Sequence, residues 1–147
     1  MEIKEIKEDK KQFISLLLLA DEQENMIDRY IDRGTMYVLD DHGIQCECIV
    51  TDEGNGVLEI KNIATKPQSQ GKGYGKALIH FIAMKYKGAY SILQVGTGDS
   101  PLTIPFYEKC GFIRSHRIKN FFIDNYDHPI YECGVQLTDM IYLKKKL

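Results

Sequence analysis

The sequence predicts a mixed α/β fold that forms a single domain over residues 1–147. Strand-like runs follow one another through short turns in the first half of the chain, as in an antiparallel meander. In the second half, strand-like runs alternate with helix-like runs, which is typical of strands connected by helices. The length suits one domain with a sizeable core, and no internal repeat or linker divides it.

Composition and charge narrow the range of partners. Hydrophobic residues make up 44% of the chain and charged residues 27%, as in ordinary globular proteins. The net charge of −2 gives no electrostatic support for a nucleic-acid partner. No apolar run approaches the roughly 20 residues that a membrane span needs, and the N-terminus does not resemble a signal peptide. We therefore expect a cytoplasmic protein with no nucleic-acid or membrane partner.

The first third of the chain predicts one strand and two helices. Residues 2–7 mix isoleucine with charged side chains and predict a strand. Residues 10–20 predict a helix, because their apolar side chains recur at helical spacing. Residues 21–32 predict a second, strongly polar helix, which Gly34 ends.

Three strands of a meander come next. Residues 35–39 and 43–51 predict two strands, and the intervening Asp40-Asp41-His42-Gly43 is typical of a hairpin turn. Residues 57–65 predict the third strand. Pro67 ends this strand, because proline has no N–H group to donate to a sheet.

The central helix and the strand after it follow from their end signals. Residues 73–86 predict the helix, and Gly88 ends it. Residues 90–95 are mostly apolar and predict a strand that is covered on both faces. Residues 96–100 are rich in glycine and predict a loop.

The end of the chain predicts one short helix and two last strands. Pro101 suits the first turn of a helix that runs to about Cys110, with Ser100 as its N-cap. Residues 112–122 and 136–143 predict the two strands.

The four cysteines are predicted to be buried free thiols. None of them forms a Cys-x-x-Cys pair, and no further metal ligands lie nearby in the sequence. We therefore expect no metal site.

A glycine-rich loop lies between the third meander strand and the central helix. It consists of Gln70, Gly71, Lys72, Gly73, Tyr74, Gly75 and Lys76. Glycines in this position leave backbone N–H groups open to an anion. A P-loop needs Ser or Thr after its Gly-Lys pair, but Ala77 follows Lys76. A dinucleotide fingerprint needs glycine where Lys76 lies. Taken alone, the loop is also compatible with a turn that caps a helix.

Two motifs together resemble the GNAT superfamily of N-acetyltransferases. Gln70, Gly73 and Gly75 match the pattern Gln/Arg-x-x-Gly-x-Gly/Ala of its acetyl-CoA pyrophosphate loop. The segment Phe-Tyr-Glu-Lys-Cys-Gly-Phe, which contains Tyr107, closely resembles a second segment of the family. Tyr107 follows Gly73 by 34 residues, with one strand between them, which also fits the family. The resemblance is strong over residues 57–112, and residues 126–141 resemble a bacterial branch whose substrates are uncharacterised.

The resemblance implies a fold and a cofactor. The fold is a mixed sheet of about six to seven strands with about four helices, in the order β-α-α-β-β-β-α-β-α-β-β. The cofactor is acetyl-CoA, without a metal. The implied pantetheine contacts are the backbones of Ile63, Ala64 and Thr65, on a strand that splays from its neighbour. The loop from Gln70 to Lys76 is implied to wrap the pyrophosphate, and Ser100 replaces a frequent Asn beside the cofactor.

Two side chains are implied to be catalytic. Tyr107 matches the tyrosine that protonates the departing CoA thiolate. Glu59 matches the position of a general base, which takes a proton from the acceptor amine directly or through water. The alternatives are a core aromatic for Tyr107 and a partly exposed strand carboxylate for Glu59. His128 and Glu132 are weaker candidates for the base.

The predicted reaction is transfer of an acetyl group from acetyl-CoA to a primary amine, by direct attack in a ternary complex. The acceptor is a small molecule or a peptide, and late strands could pair in a homodimer. An acyl-CoA sensor without turnover and a GNAT-fold interaction module are the alternatives. Five acidic residues could face a cationic acceptor or simply face solvent; they are Asp21, Glu22, Glu24, Asp28 and Asp32.

Overall fold

The computed structural model describes residues 1–147. Its strands are β1 (Glu2–Ile6), β2 (Thr35–Asp40), β3 (Ile44–Asp52), β4 (Val57–Thr65), β5 (Ile92–Gly98), β6 (Ile113–Ile118), β7 (Tyr131–Glu132), β8 (Val135–Gln136) and β9 (Met140–Lys146). Its α-helices are α1 (Ile14–Ala20), α2 (Glu24–Ile27), α3 (Tyr74–Tyr86), α4 (Thr103–Lys109) and α5 (Phe121–Asn125). Two 3-10 helices span Lys10–Phe13 and Pro67–Ser69. No helix is both long enough and apolar enough to span a membrane.

Seven strands form one mixed sheet. Their order is β1-β2-β3-β4-β5-β9-β6, and β7 pairs only with β8. Neighbouring strands of the sheet are antiparallel except β4 and β5, which are parallel. The predicted mixed α/β fold, with an antiparallel meander followed by helix-connected strands, is therefore confirmed.

Different helices cover the two faces of the sheet. Helices α3 and α4 cover one face, where a core of 18 buried residues includes Leu78 and Tyr107. Helix α1 and the segment around α2 cover the other, where a core of six buried residues includes Leu17 and Tyr30. We call these the α3/α4 face and the α1/α2 face. Burying one Leu or Ile side chain stabilises the fold by about 1.5–3 kcal/mol, so both cores contribute substantially.

The parallel pair β4 and β5 opens into a gap. Only Val57–Ile60 of β4 pairs with β5, although β4 continues to Thr65 and β5 continues to Gly98. A β-bulge lies just beyond the last pair, where Ile60 and Asn62 oppose the consecutive residues Val50 and Ile49. Bulges bend a strand and increase its twist, so the bulge accounts for the divergence. The implied splaying of this strand is confirmed.

The second predicted helix is much shorter than expected. Within residues 21–32, only Glu24–Ile27 is α-helical. The N–H groups of Arg29 and Tyr30 bond to carbonyls three residues earlier, which is the pattern of tight turns. The segment still buries Tyr30 and Ile31, because turns as well as a helix can place them against the sheet.

The glycine-rich segment at residues 96–100 is partly strand rather than loop. Strand β5 runs through Gly96 and Gly98 and pairs with β9 along its whole length. A Cβ atom at Gly96 would lie 2.7 Å from Met140 Sδ, and one at Gly98 would lie 2.5 Å from Leu137 Cδ1. These glycines therefore serve close packing against later parts of the chain.

The last predicted elements are shifted in position. Helix α4 begins at Thr103 instead of Pro101. Strand β6 ends at Ile118, and α5, which was not predicted, follows Asn120 at a φ of 58°. The Asp139 carboxylate accepts the N–H of Asn120 and pairs with Arg117, which stabilises this break. Strand β9 spans Met140–Lys146, later than predicted.

The prediction that all cysteines are buried is wrong for Cys133. Cys46, Cys48 and Cys110 are buried, whereas Cys133 is exposed in the turn between β7 and β8. Neither residue of this turn belongs to either core, which leaves the thiol uncovered.

Thiol labelling of the native protein is expected to give one fast-reacting thiol, with the other three reacting only on unfolding. Titration with a chromogenic disulfide reagent measures both phases. Cys133→Ser should remove the fast phase alone; a remaining fast phase would show that a core thiol is accessible.

Candidate active site

The N–H groups from Gly71 to Lys76 donate to no acceptor within the protein. Gly71 and Gly73 adopt φ values of 79° and 86°, which favour glycine because they are strained for other residues. The first hydrogen bond of α3 runs from the N–H of Ala77 to the carbonyl of Gly73. The loop and the first turn of α3 therefore present consecutive free donors at the positive end of a 13-residue helix.

Side chains on both sides hold this donor loop in place. The Gln70 side-chain amide donates to the carbonyl of Thr65 over 3.3 Å. The Tyr74 hydroxyl donates to Asp41 in the β2–β3 turn over 2.6 Å. The side chains of Lys72 and Lys76 are exposed and form no salt bridge, so both charges are available to an anion.

The gap between β4 and β5 exposes backbone groups of β4. The N–H of Lys66 donates to the carbonyl of Gln45 on β3. In an antiparallel pair, residues alternate between bonding to the partner strand and pointing their backbone groups away from it. Residues 64 and 66 therefore face β3, whereas the N–H and C=O groups of Ile63 and Thr65 face the gap. The donor loop follows the same strand, after the 3-10 helix Pro67–Ser69.

Tyr107 lies in the core on the α3/α4 face. It is 7% exposed, and its ring packs edge-to-face against Phe106 and Phe112. Its hydroxyl makes no hydrogen bond within the protein, yet it is not fully enclosed. Burial raises the pKa of Tyr107 above its ordinary value, and nearby Cys48 and Cys110 add to the shift. The hydroxyl is therefore a protonated donor without a partner.

Ser100 is buried just before α4. Its hydroxyl accepts the N–H of Leu102 over 3.2 Å, and its carbonyl accepts the N–H of Ile104. Ser100 thus supports the turn that leads into α4, although the helix itself starts later than predicted. Its contact with a cofactor stays a prediction.

Glu59 lies in the paired part of β4, below the gap. It is 4% exposed, and its carboxylate pairs with Lys61 over 2.8 Å. It also accepts hydrogen bonds from Gln94 over 2.6 Å and from Tyr142 over 3.5 Å. Glu59 is therefore a buried carboxylate whose oxygens already have partners, and its role as a base stays a prediction.

Glu47 is a second buried carboxylate, which the sequence motifs did not identify. It is fully buried in β3, opposite Ala64 of β4. Neither carboxylate oxygen makes a hydrogen bond. The nearby backbone of Ala64 lowers the pKa of Glu47, against the larger effect of burial. Burial raises that pKa well above its usual range. The available signal was a lone glutamate between Cys46 and Cys48 in an otherwise apolar run.

A hydrogen-bonded chain crosses the α1/α2 face above these strands. The Asn62 amide donates to the hydroxyl of Tyr30 over 3.0 Å, and this hydroxyl donates to Asp21 over 3.0 Å. Tyr126, which follows α5, also donates to Asp21, over 2.7 Å. Burial raises the pKa of Asp21 above its ordinary value. The chain joins β4, the α1–α2 segment and the late part of the sequence.

The five acidic residues of the α1–α2 segment separate into different environments. Glu24 and Asp28 both pair with Lys11, and Asp32 is exposed. Only Asp21 and Glu22 face the late segment. This division weakens the idea of one acidic surface for a cationic acceptor.

His128 and Glu132 lie at the edge of this region. His128 is exposed and contacts Asp127 over 2.6 Å and Glu22 over 3.1 Å, and both carboxylates raise its pKa. Glu132 forms part of β7 and makes no salt bridge. No group of three or more His, Cys, Asp or Glu side chains is arranged to hold a metal ion.

The protein is a mixed α/β fold with free donors of the kind that suit an anion, and comparison with known proteins gives its family. A family model described as "Acetyltransferase (GNAT) domain" matches residues 32–114, more than half of the chain. The chain therefore belongs to the GNAT family of N-acetyltransferases. The resemblance found in the sequence is confirmed.

Individual relatives agree over nearly the whole chain. It is 36% identical to the uncharacterized N-acetyltransferase YvbK of Bacillus subtilis (strain 168), across 92% of this chain and 90% of the relative. A GNAT acetyltransferase from Elizabethkingia anophelis, solved with acetyl-CoA bound, is 35% identical, with a TM-score of 0.93 over 99% of this chain and 97% of its own. A protein named IAA acetyltransferase from Bacillus cereus ATCC 14579 is 36% identical, with a TM-score of 0.91 over 99% of both chains.

Proposed function

We propose that this protein transfers the acetyl group of acetyl-CoA to a primary amine by direct attack within a ternary complex. Acetyl-CoA is the co-substrate. The observation that carries the proposal is the run of free N–H donors from Gly71 to Lys76, which follows the β4 backbone groups that face the gap. Tyr107 adds a hydroxyl without a partner on the α3/α4 face. The family of the chain and its acetyl-CoA-bound relative support it.

The donors suit successive parts of acetyl-CoA. The N–H groups from Gly71 to Lys76 bind the pyrophosphate, assisted by the dipole of α3 and by Lys72 and Lys76. The backbone of the Ile63–Thr65 segment binds the pantetheine arm and directs an N–H group at the acetyl carbonyl. Such a donor stabilises the oxyanion that forms during attack, which is commonly a large catalytic effect.

The chemistry needs one proton acceptor and one proton donor. The amine attacks the thioester carbonyl, a C–N bond forms, and the C–S bond to CoA breaks. Tyr107 supplies a proton to the CoA thiolate, and the attacking nitrogen returns one to Tyr107. Before the attack, a carboxylate on the α1/α2 face, either Glu59 or Glu47, takes one proton from the substrate ammonium.

Thermal unfolding with saturating acetyl-CoA tests the cofactor site. At about 100 times its dissociation constant, a ligand stabilises the folded state by about 2.7 kcal/mol. At about 2–4 °C per kcal/mol, this raises the melting temperature by several degrees. We expect acetyl-CoA and free CoA, but not ATP, to produce this shift.

Two outcomes would lead elsewhere. No shift with either CoA species would contradict the cofactor site and favour the interaction-module alternative. The other outcome is that acetyl-CoA raises the melting temperature but no acceptor causes release of CoA. If this holds for every acceptor tested, including the IAA in the name of the Bacillus cereus relative, it would favour an acyl-CoA sensor.

A further inference from the structure

The buried polar atoms without a hydrogen-bond partner are concentrated in one place. They are Glu47 Oε1, Glu47 Oε2 and Asn62 Oδ1. Buried polar groups almost always have partners, because leaving one unpaired costs about 1–3 kcal/mol. When Glu47 is ionised, all three atoms are hydrogen-bond acceptors, so a ligand that satisfies them must be a donor.

These atoms belong to adjacent strands and to the same face of the sheet. Glu47 and Ile49 lie two residues apart on β3, and Ile49 packs in the core on the α1/α2 face. Asn62 is directly opposite Ile49 and also contacts that face, through Leu17 and Tyr30. Glu47 and Asn62 are therefore diagonal neighbours, a separation that long side chains bridge.

The site borders the place where the acetyl group would bind. Glu47 lies opposite Ala64, between the two β4 residues whose backbone groups face the gap. Its charge contributes to the raised pKa of Tyr30, on the α1/α2 face, and of Tyr107, on the α3/α4 face, although burial is the main cause for both. The carboxylate thus lies on the α1/α2 face, near the opening of β4 from β5.

No cation of the protein neutralises Glu47. It forms no salt bridge, and the titratable groups affected by its charge are Tyr30, Cys46, Cys48 and Tyr107, none of which is cationic. Glu59, by contrast, already has Lys61, Gln94 and Tyr142 as partners. Of the two buried carboxylates on this face, only Glu47 has unoccupied oxygens.

We propose that Glu47 and Asn62 form the acceptor subsite, which takes the primary alkylammonium group of the substrate, and that Glu47 is its proton acceptor. This proposal rests on the proposed function. An alkylammonium has three N–H donors, which matches three unpartnered acceptors. These acceptors are enclosed in the free protein, so the ammonium must displace part of the cover over β3 and β4 to reach them. Glu47 takes one proton from the ammonium, and the neutral amine then attacks the thioester. The proton on Glu47 leaves to solvent after the product departs.

The substrate class follows from this chemistry. A primary alkylammonium occurs on diamines, on amino sugars and on lysine side chains. The probes are therefore 1,4-diaminobutane, kanamycin and a lysine-containing peptide, and 1,4-butanediol is the matched compound without an ammonium. Comparing the three amines distinguishes the sources of the same group.

The variants are Glu47→Gln, Glu47→Asp, Glu59→Gln and the control Thr51→Val. Thr51 is buried on the same strand, and its hydroxyl bonds only to Glu53. With CoA saturating, at least one amine should raise the melting temperature of wild type and Thr51→Val, whereas the diol should not. Glu47→Gln should lose this shift and at least tenfold in kcat/KM, while keeping its response to acetyl-CoA.

The pH profile separates a base from a structural residue. In wild type, kcat/KM should rise with pH through the ionisation of Glu47, and Glu47→Gln should lack this acidic limb. Glu47→Asp should retain the limb at reduced rate, and it replaces Glu47→Gln if that variant does not fold.

Two results would overturn the proposal. One is a Glu47→Gln protein with wild-type amine shift and rate, especially if Glu59→Gln loses the rate. The other is a wild-type protein that responds to acetyl-CoA but to none of the three amines. Failure of the acetyl-CoA shift itself would contradict the proposed function instead.

Discussion

Replacing Tyr107 with phenylalanine is expected to lower kcat by about 10²- to 10⁴-fold, the usual contribution of a positioned general acid. Acetyl-CoA affinity should change little, because only the hydroxyl is removed. The ring packs against Phe106 and Phe112, and phenylalanine keeps both contacts. The hydroxyl makes no hydrogen bond within the protein, so its loss leaves no buried group unpaired.

The protonation state of Tyr107 fits the role of an acid. Burial raises its pKa above the ordinary tyrosine value. The hydroxyl therefore stays protonated across neutral pH and is ready to donate when the CoA thiolate departs. Since the thiolate exists only as the C–S bond breaks, the donation stabilises the transition state and leaves ground-state binding unchanged.

Steady-state kinetics and the acetyl-CoA melting shift measure the two effects separately. Tyr37→Phe is the matched control, because Tyr37 lies in the same core and its hydroxyl bonds to Tyr86 over 2.6 Å. This control should lose some stability but keep its turnover. Unchanged turnover in Tyr107→Phe would remove Tyr107 from the mechanism.

Local signals made much of the fold and the cofactor loop predictable. The donor loop depends on glycines at fixed spacing beside a helix start, and Gly71 and Gly73 have the positive φ that such a loop requires. The hairpin between β2 and β3 was likewise predictable from its turn residues. In each case the physical cause lies within a few residues of its effect.

Features with distant causes were not predictable from the sequence. Gly96 and Gly98 looked like loop residues, because their packing partners Met140 and Leu137 lie about 40 residues later. Asn120 breaks β6 with help from Asp139. Such contacts appear only when the strands are assembled.

The acceptor subsite is the clearest example of this limit. A glutamate in a strand can be exposed, paired or buried, and the burial of Glu47 depends on the cover that the α1–α2 segment provides. Glu59 matches a family position, and the sequence therefore predicts it as a base. Its hydrogen-bond partners Gln94 and Tyr142 come from two other strands, so the sequence does not show that its oxygens are occupied. The sequence identified a carboxylate of the right kind, and only the assembled sheet shows which oxygens are free.

The donor loop gives the second large expected effect. Gly73→Asp should abolish the melting shift caused by acetyl-CoA at concentrations that give wild type its full shift. A Cβ atom at Gly73 meets nothing within 4 Å, so aspartate has room in the apo protein, although the φ of 86° destabilises it relative to glycine. Its carboxylate would instead occupy the space in front of the free N–H groups. At a separation of about 4 Å and an effective dielectric of about 20, repulsion between two unit charges is about 4 kcal/mol.

Gly88→Asp is a closely matched control at the other end of α3. Gly88 has a φ of 94°, against 86° for Gly73, and a Cβ atom there also meets nothing within 4 Å. Aspartate tolerates this left-handed conformation better than most residues. A negative charge stabilises a helix near its N-terminus and destabilises it near its C-terminus. Without ligand, Gly88→Asp should therefore be less stable than Gly73→Asp. It should nevertheless keep the full acetyl-CoA shift. Equal shifts in both variants would show that the pyrophosphate binds elsewhere, whereas loss in Gly73→Asp alone would assign the binding to the donor loop.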